Sequence, residues 1–79
     1  MWYVYLLLCE DNSLYCGSSD NAEARFILHK AGKGAKYTRS HKPKEIVYKE
    51  EFETRSLALK REIEINDEKL IKYYFKVTM

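Results

Sequence analysis

The sequence predicts an α/β domain with a small, mainly antiparallel three-stranded sheet flanked by helices, in the order β-β-α-β-α-α. Three observations support this prediction. An apolar run at the start of the chain is followed by turn-forming residues and a second short run, which is typical of a hairpin. Farther along, apolar residues recur at helical spacing. The 79 residues suffice for one folding unit, so a single domain over residues 1–79 is expected.

The first two strands are expected to form a hairpin. Residues 2–9 make the first strand, residues 14–17 its partner and residues 10–13 the turn. A three-residue connection centred on Asn12 would pair Cys9 with Tyr15. Tyr5 and Tyr15 would then share a face, whereas a two-residue connection would separate them. Asparagine tolerates the left-handed backbone that the longer turn needs, so a shared face is permitted. The other face would carry core residues, namely Trp2, Val4, Leu6, Leu8, Leu14 and Cys16.

The first helix is predicted to span about residues 20–31. The Asp20 carboxylate can accept a hydrogen bond from the Glu23 amide while Glu23 reaches back, as in a capping box. Gly32 and Gly34 follow, and glycine can take the positive φ that ends a helix. Much of the helix's apolar surface is expected from Ala22, Phe26 and Ile27.

Two polar residues of this helix point the same way. Arg25 and His29 stand four residues apart and therefore lie one above the other. This spacing brings a guanidinium and an imidazole together at the sheet. Taken alone, His29 could instead be a helix-end histidine that interacts with backbone carbonyl groups.

The second half of the chain predicts one strand and two helices. The strand covers residues 45–52 and is expected at an edge, with Ile46, Tyr48 and Glu50 on one face and Val47, Lys49 and Glu51 on the other. The next helix begins near Thr54 or Ser56 and runs to about Ile65, with Ala58, Glu62 and Ile65 sharing a face. A last short helix is expected from Asp67 to about Phe75.

Charge is distributed unevenly, although the net charge is only +2. Residues 1–23 contain four acids and no Lys or Arg, whereas residues 24–44 contain seven Lys and Arg and no acid. Basic residues interleaved with glycine and an aromatic suit contact with phosphates. Nucleic-acid contacts are therefore expected at Lys30, Lys33, Lys36, Arg39 and Lys42. The alternative is a solvated loop.

The cysteines and the apolar start of the chain exclude other classes of site. Cys9 and Cys16 lack the spacing of a zinc site and fall on opposite faces by strand parity, so both are expected to be reduced thiols. The apolar start is far shorter than the roughly 20 residues that span a bilayer. It also lacks the features of a signal peptide, so no membrane association and a cytoplasmic location are expected.

The ordered motifs point to a known family. Val4-Tyr5, Tyr15-Cys16-Gly17, Arg25 with His29, residues 31–39, Pro43, Glu51-Phe52 and Arg61-Glu62-x-x-Ile65 follow one another over residues 2–66. This series resembles the GIY-YIG nuclease domain, and in particular its small stand-alone bacterial subgroup. Three departures stand out: Tyr3 replaces the glycine of the first motif, Ser18 and Ala22 replace larger apolar residues, and Asn66 replaces lysine.

The resemblance implies roles for six residues. It assigns Tyr5 to water activation, Arg25 to the phosphate, and Glu62 to a single divalent ion, Mg²⁺ or Mn²⁺, that also coordinates the scissile phosphate. Tyr15, His29 and Tyr37 would orient water and relay or hold protons. A phenol that acts as a base near pH 7 needs its pKa lowered by roughly three units, or equivalent assistance from a metal, about 4 kcal/mol. A metal and Arg25 are expected to supply this.

Residue chemistry alone is also compatible with other roles for these residues. Tyr5 and Tyr15 could be ordinary strand tyrosines, because aromatic residues favour half-buried pleated surfaces. Glu62 could pair with Arg55 or another base. Tyr37 could stack on a nucleic-acid base or close its loop.

The function expected from the resemblance is metal-dependent hydrolysis of phosphodiester bonds in nucleic acid, with DNA favoured over RNA, in repair or processing. Branched DNA, single-stranded DNA and RNA are among the expected substrates. One alternative is a nucleic-acid-binding module without turnover, which Asn66 favours. Another is a subunit that docks on a larger repair protein through Tyr73-Tyr74-Phe75. A protein partner or a weak homodimer is also compatible with the sequence.

Overall fold

The computed structural model describes residues 1–66. In chain order the elements are β1 (Trp2–Cys9), β2 (Leu14–Ser19), α1 (Ala22–Lys30), α2 (Lys36–Ser40), β3 (Pro43–Phe52) and α3 (Arg55–Asn66). The predicted fold class is confirmed: an antiparallel three-stranded sheet has helices on both faces. The helix predicted from Asp67 and the Tyr73-Tyr74-Phe75 surface lie outside the described residues.

β1 is the central strand of the sheet, in the order β2-β1-β3. Both neighbours pair with it antiparallel. A central strand covered on both faces is buried on both, which explains why Val4 through Cys9 are all buried and why the run is continuously apolar. β3 is an edge strand with mostly half-buried and exposed residues, as predicted.

The hairpin turn confirms the predicted face but not the predicted register. Asn12 adopts φ 68° and donates its backbone N–H to the Cys9 carbonyl over 2.9 Å. Tyr15 pairs with Leu7, so the predicted pairing with Cys9 is wrong by two residues. Because side chains alternate with a period of two, a two-residue error keeps the face, and Tyr5 and Tyr15 share it.

A β-bulge changes the faces of β3. Leu6 pairs with Tyr48 and Leu7 pairs with Ile46, so Val47 is an extra residue between them. Ile46 therefore packs with Leu7, while Tyr48 packs with Leu6 on the opposite side. The prediction that Ile46 and Tyr48 share a face is wrong, because simple alternation assumes an uninterrupted ladder.

The two faces of the sheet have separate clusters. On the apolar face, α3 covers Val4, Leu6 and Cys16 with its buried residues Ala58 and Ile65. On the other, named here the site face, α1 contributes Ala22, and the buried members are Tyr5, Leu7 and Ala22. Of the six predicted core residues, four belong to the cluster on the apolar face, namely Trp2, Val4, Leu6 and Cys16. Leu8, which is buried, and Leu14, which is half-buried, belong to neither cluster.

The ends and exposed surface of α1 differ from the prediction in two details. Asn21, not Asp20, is the N-cap, and its Oδ1 accepts the Ala24 amide over 3.1 Å. Ile27 is 66% exposed and does not belong to the core, whereas Ala22 and Phe26 do. The predicted end is confirmed: Gly32 takes φ 76° directly after the C-cap.

α2 was not predicted, because its five residues follow a glycine-containing, lysine-rich stretch with no apolar period. α3 begins as predicted, where the Thr54 hydroxyl accepts the Leu57 amide over 3.2 Å. Ala58 and Ile65 are buried on α3, and Glu62 is half-buried. Within residues 1–66, no helix is long and apolar enough to cross a membrane.

Candidate active site

Tyr5 lies in the middle of β1 on the site face and is 1% exposed. It pairs across the strands with Gly17. A Cβ atom at Gly17 would lie 2.6 Å from the Tyr5 Oη and 3.1 Å from the Tyr15 ring. Two tyrosine rings therefore need the space that glycine leaves, which accounts for the tripeptide Tyr15-Cys16-Gly17.

His29 places its imidazole against Tyr5 from α1 and is 1% exposed. Its Nε2 lies 3.0 Å from the Tyr5 Oη, and its Nδ1 lies 2.7 Å from the Thr38 Oγ1 in α2. Both ring nitrogens thus face hydroxyl groups rather than carbonyl groups. A Cβ atom at Gly34 would overlap the ring, so the loop between α1 and α2 closes directly on His29.

A row of rings continues from His29 toward the protein surface. The Tyr15 ring lies 5.1 Å from the His29 ring, and Tyr37 stacks on Tyr15 at 5.9 Å between centroids. Tyr37 also stacks on His41 at 4.1 Å, and the His41 Nδ1 pairs with the Asp11 carboxylate at 2.5 Å. Tyr37 is therefore engaged by two neighbouring rings and closes its loop onto the site. The Ser13 hydroxyl, assisted by His41, lowers the pKa of Asp11 to about 2.

Arg25 and Glu62 approach the same tyrosines with opposite charge. Burial is the largest cause that raises the pKa of Tyr15, the Glu62 carboxylate adds to the rise, and the Arg25 guanidinium opposes it. The pKa of Cys16 rises to about 12 for the same two reasons, burial first and Glu62 second. The field of Glu62 thus reaches β2 residues on both faces of the sheet.

The Glu62 carboxylate has no hydrogen bond or ion pair within residues 1–66. The neighbouring Arg61 contacts Glu50 at 2.7 Å and Glu64 at 3.4 Å instead. Arg55, the alternative partner considered from the sequence, lies 5.4 Å over the Trp2 ring. Among the described residues, Glu62 therefore presents unused oxygen ligands.

Burial is the main influence on the protonation of Tyr5. It raises the pKa of Tyr5 to about 12, the neighbouring Tyr15 adds to the rise, and Arg25 opposes it. In the metal-free protein the loss of water therefore outweighs the guanidinium, and Arg25 alone does not lower the pKa of Tyr5. For His29, burial and the Arg25 charge lower the pKa below its usual 6.5, so its imidazole is neutral at pH 7.

Comparison with known proteins identifies the family of this chain. The model of the GIY-YIG catalytic domain matches residues 1–74. The chain belongs to the GIY-YIG family. Membership implies a nuclease domain that binds nucleic acid.

Relatives of the GIY-YIG chain include small UPF0213 proteins. One from Staphylococcus haemolyticus is 54% identical over 63 residues, which cover 80% of this chain and 77% of the relative. Another from Cupriavidus necator is 52% identical over 64 residues, covering 81% and 70%. The solution NMR structure of a UPF0213 protein from Bacillus halodurans has a TM-score of 0.58 at 32% identity and covers 98% of this chain and 85% of that one. The small stand-alone subgroup predicted from the sequence is thereby confirmed.

The side chains that could bind a metal in this GIY-YIG domain indicate what kind of divalent-ion site it could form. Within residues 1–66 no group of three or more His, Cys, Asp or Glu residues could enclose a metal. A single carboxylate without protein partners fits a hard ion that takes its remaining ligands from water and phosphate oxygens. It does not fit a closed structural site. Glu62 is the residue that would hold such an ion.

The five predicted nucleic-acid contacts lie on the last turn of α1, the following loop, α2 and the turn before β3. All five are exposed. None forms an ion pair within the described part of the chain, although the Lys30 Nζ lies 5.5 Å over the Phe26 ring. Their charges are thus available to a polyanion. The set comprises Lys30, Lys33, Lys36, Arg39 and Lys42.

Three residues around the site were missed by the sequence analysis. Thr38 contacts the His29 ring 9 positions away, and Asp11 contacts the His41 ring 30 positions away. These two contacts follow no local period, because they depend on where α2 packs. His41 stacks on the Tyr37 ring, and the i,i+4 spacing of these two residues was the one signal available in the sequence.

Proposed function

We propose that this GIY-YIG protein is a metal-dependent endonuclease that hydrolyses phosphodiester bonds in DNA. One observation carries the proposal. The buried hydrogen bond between the Tyr5 Oη and the His29 Nε2 joins a phenol to a neutral imidazole beside the Arg25 charge. That pair can move a proton, and proton removal from water is the step that hydrolysis needs at neutral pH.

The high pKa of Tyr5 determines how the proton moves. Forming a free phenolate at pH 7 from a pKa of about 12 costs about 7 kcal/mol. A relay avoids this cost. As water attacks phosphorus and its O–H bond breaks, its proton passes to the Tyr5 oxygen while the proton of Tyr5 moves to the His29 Nε2. The bond between phosphorus and the departing oxygen then breaks, that oxygen takes a proton from solvent, and His29 releases its extra proton to solvent.

The charged residues Arg25 and Glu62 are assigned to interactions with the phosphate. Arg25, half-buried and near both tyrosines, would stabilise the negative charge that develops on the pentavalent phosphate. Glu62 would hold one Mg²⁺ or Mn²⁺ ion, which when bound acts as a Lewis acid on a phosphate oxygen. Tyr15 and Tyr37, stacked on one another, would orient the attacking water.

Substrate binding is assigned to the exposed basic residues of α1, α2 and their flanking turns. Each neutralised phosphate of duplex DNA releases counterions and adds about 0.9 to the slope of log affinity against log salt. Lys36→Gln should reduce that slope, whereas Lys60→Gln on α3 should leave it unchanged. We assign the enzyme to DNA, including branched and single-stranded forms, in repair or nucleic-acid processing, with one domain over residues 1–79.

A second candidate follows from the exposure of Tyr5. A residue that is 1% exposed is poorly placed to meet water, which favours a nucleic-acid-binding module without turnover. In that case the same basic residues would bind, and the Tyr5–His29 contact would only stabilise the fold.

The decisive test is cleavage of single-stranded, duplex, flapped and branched DNA and matched RNA with Mg²⁺, Mn²⁺ or EDTA. Wild type is compared with Glu62→Gln, Arg25→Ala and the control Glu64→Gln, which lies on the same helix. The endonuclease predicts cutting that needs metal, survives in Glu64→Gln and is lost in the other two variants. Salt-sensitive binding by folded wild type without cutting on any substrate would instead establish the binding module.

A further inference from the structure

Thr38 is a buried hydroxyl residue at the centre of a small hydrogen-bonded group. It is 2% exposed, and its Oγ1 lies 2.7 Å from the His29 Nδ1. The same oxygen accepts the Ala35 amide over 3.2 Å and lies 3.0 Å from the Ala35 carbonyl, to which it can donate. Thr38 thus joins α2 to the imidazole of α1.

The number of available hydrogens decides whether Thr38 or His29 donates the hydrogen bond between them. A threonine hydroxyl has one hydrogen to donate. If that hydrogen went to the His29 Nδ1, the Nε2 would carry the ring proton and donate to Tyr5. The Tyr5 hydroxyl hydrogen would then lack an acceptor among the described residues, because Tyr5 is almost fully buried and Arg25 is a donor only.

The other assignment satisfies every group. Thr38 donates to the Ala35 carbonyl and accepts the proton on the His29 Nδ1, which leaves the Nε2 lone pair facing Tyr5. Tyr5 then donates to Nε2. No buried side-chain polar atom among the described residues lacks a partner, in keeping with this arrangement.

We propose that Thr38 is a positioning residue that holds His29 as the Nδ1–H tautomer and so directs the Tyr5 proton to Nε2. The inference rests on the proposed function for its catalytic meaning, but the tautomer itself does not depend on turnover. Gly34 supports the arrangement, since only a residue without a side chain lets the loop close on the ring. The groups with titratable or fixed charge that face the ring are Tyr5 of β1, Tyr15 of β2 and Arg25 of α1.

The first test is NMR of the ring nitrogens of ¹⁵N-histidine-labelled full-length protein. Wild type and Thr38→Ser should show the His29 proton on Nδ1, because serine keeps the hydroxyl. Thr38→Val should move the ring toward the Nε2–H form, and Thr38→Ala serves as a second variant if valine prevents folding. Thr54→Val removes a similar hydroxyl from the start of α3 and should leave the His29 signals unchanged.

The second test is cleavage by the same variants. Thr38→Val should lower kcat about 10- to 100-fold, the range typical of a residue that orients a functional side chain, with KM little changed. Thr38→Ser should restore it, and the acid limb of the pH profile should move in Thr38→Val alone. A wild-type ring protonated on Nε2, or a ring unchanged in Thr38→Val, would overturn the inference. The expected tautomers without cutting by any folded protein would contradict only the proposed function.

Discussion

The two faces of the sheet share the strand β1 but are stabilised in different ways. The apolar face buries Val4 and Leu6 against Ala58 and Ile65, where removal of apolar surface from water supplies the free energy. The site face buries Tyr5 and His29, which are stabilised only while every polar atom has a partner.

The difference teaches that alternation along one strand can separate stability from chemistry. Neighbouring residues of β1 point to opposite faces, so a change at Leu6 and a change at Tyr5 test different properties of the same strand. Substitutions on the apolar face that create cavities should lower the free energy of unfolding without changing catalysis. Substitutions on the site face that remove a polar group should lower catalysis more than stability.

The largest expected effect is on catalysis at the site face. Tyr5→Phe removes the hydroxyl that relays the proton and should lower kcat/KM by about 10² to 10⁴. It leaves the His29 Nε2 without its donor, so the free energy of unfolding should fall by only about 1–3 kcal/mol. Cleavage assays and urea denaturation measure the two. Tyr3→Phe, which removes a hydroxyl bonded to exposed Glu51, is the control and should cut normally.

The matching change on the apolar face should affect stability alone. Leu6→Ala leaves a cavity under α3 and should lower the free energy of unfolding by about 2–5 kcal/mol. Per folded molecule, cleavage should match that of wild type. Leu59→Ala, at a residue that is 39% exposed, should cost about 0.5 kcal/mol or less. Loss of activity in folded Leu6→Ala would show that the two faces are coupled.

A smaller effect is expected at Gly17, which packs against both Tyr5 and Tyr15. Gly17→Ala places a Cβ against the Tyr5 hydroxyl and should cost about 1–3 kcal/mol of stability while also lowering activity. Gly32→Ala, where the backbone has φ 76° but the space is open, should cost about 1 kcal/mol without lowering activity. Equal activity in the two variants would argue against a role for the Tyr5 position.

The smallest expected effect is on the pH dependence of the free energy of unfolding, to which each face contributes one titrating residue. The pKa of His29 is lowered by burial and by Arg25, so below pH 6.5 the unfolded chain binds its proton more tightly than the folded chain does. The free energy of unfolding should therefore fall as pH drops below 6.5 and level off below the folded pKa. Above pH 9 the raised pKa of Cys16 acts in the opposite direction, because the unfolded thiol ionises first.

Two variants assign these limbs. His29→Gln should remove the fall just below pH 6.5, and Cys16→Ala should weaken the alkaline fall without touching the acid one. Denaturant midpoints across pH measure both. An acid limb that persists unchanged in His29→Gln would assign it to another group.

Much of the fold followed from local pattern. Alternation, helical spacing and caps predicted the first strand, the shared face of Tyr5 and Tyr15, the i,i+4 pair on α1 and the start of α3. The strand register and the packing of α2 were not predicted correctly. The bulge at Val47 and the docking of α2 depend on contacts between distant residues, which no local rule contains.

The sequence by itself determined the family, the order of the elements through α3 except for α2, and the placement of Tyr5, Tyr15, Arg25 and His29, because period and motif spacing are local properties. Tertiary structure alone decided that His29 bonds both Tyr5 and Thr38, and that burial raises the pKa of Tyr5 in the metal-free protein. The physical reason is that desolvation and hydrogen-bond partnership arise only when separate segments pack together.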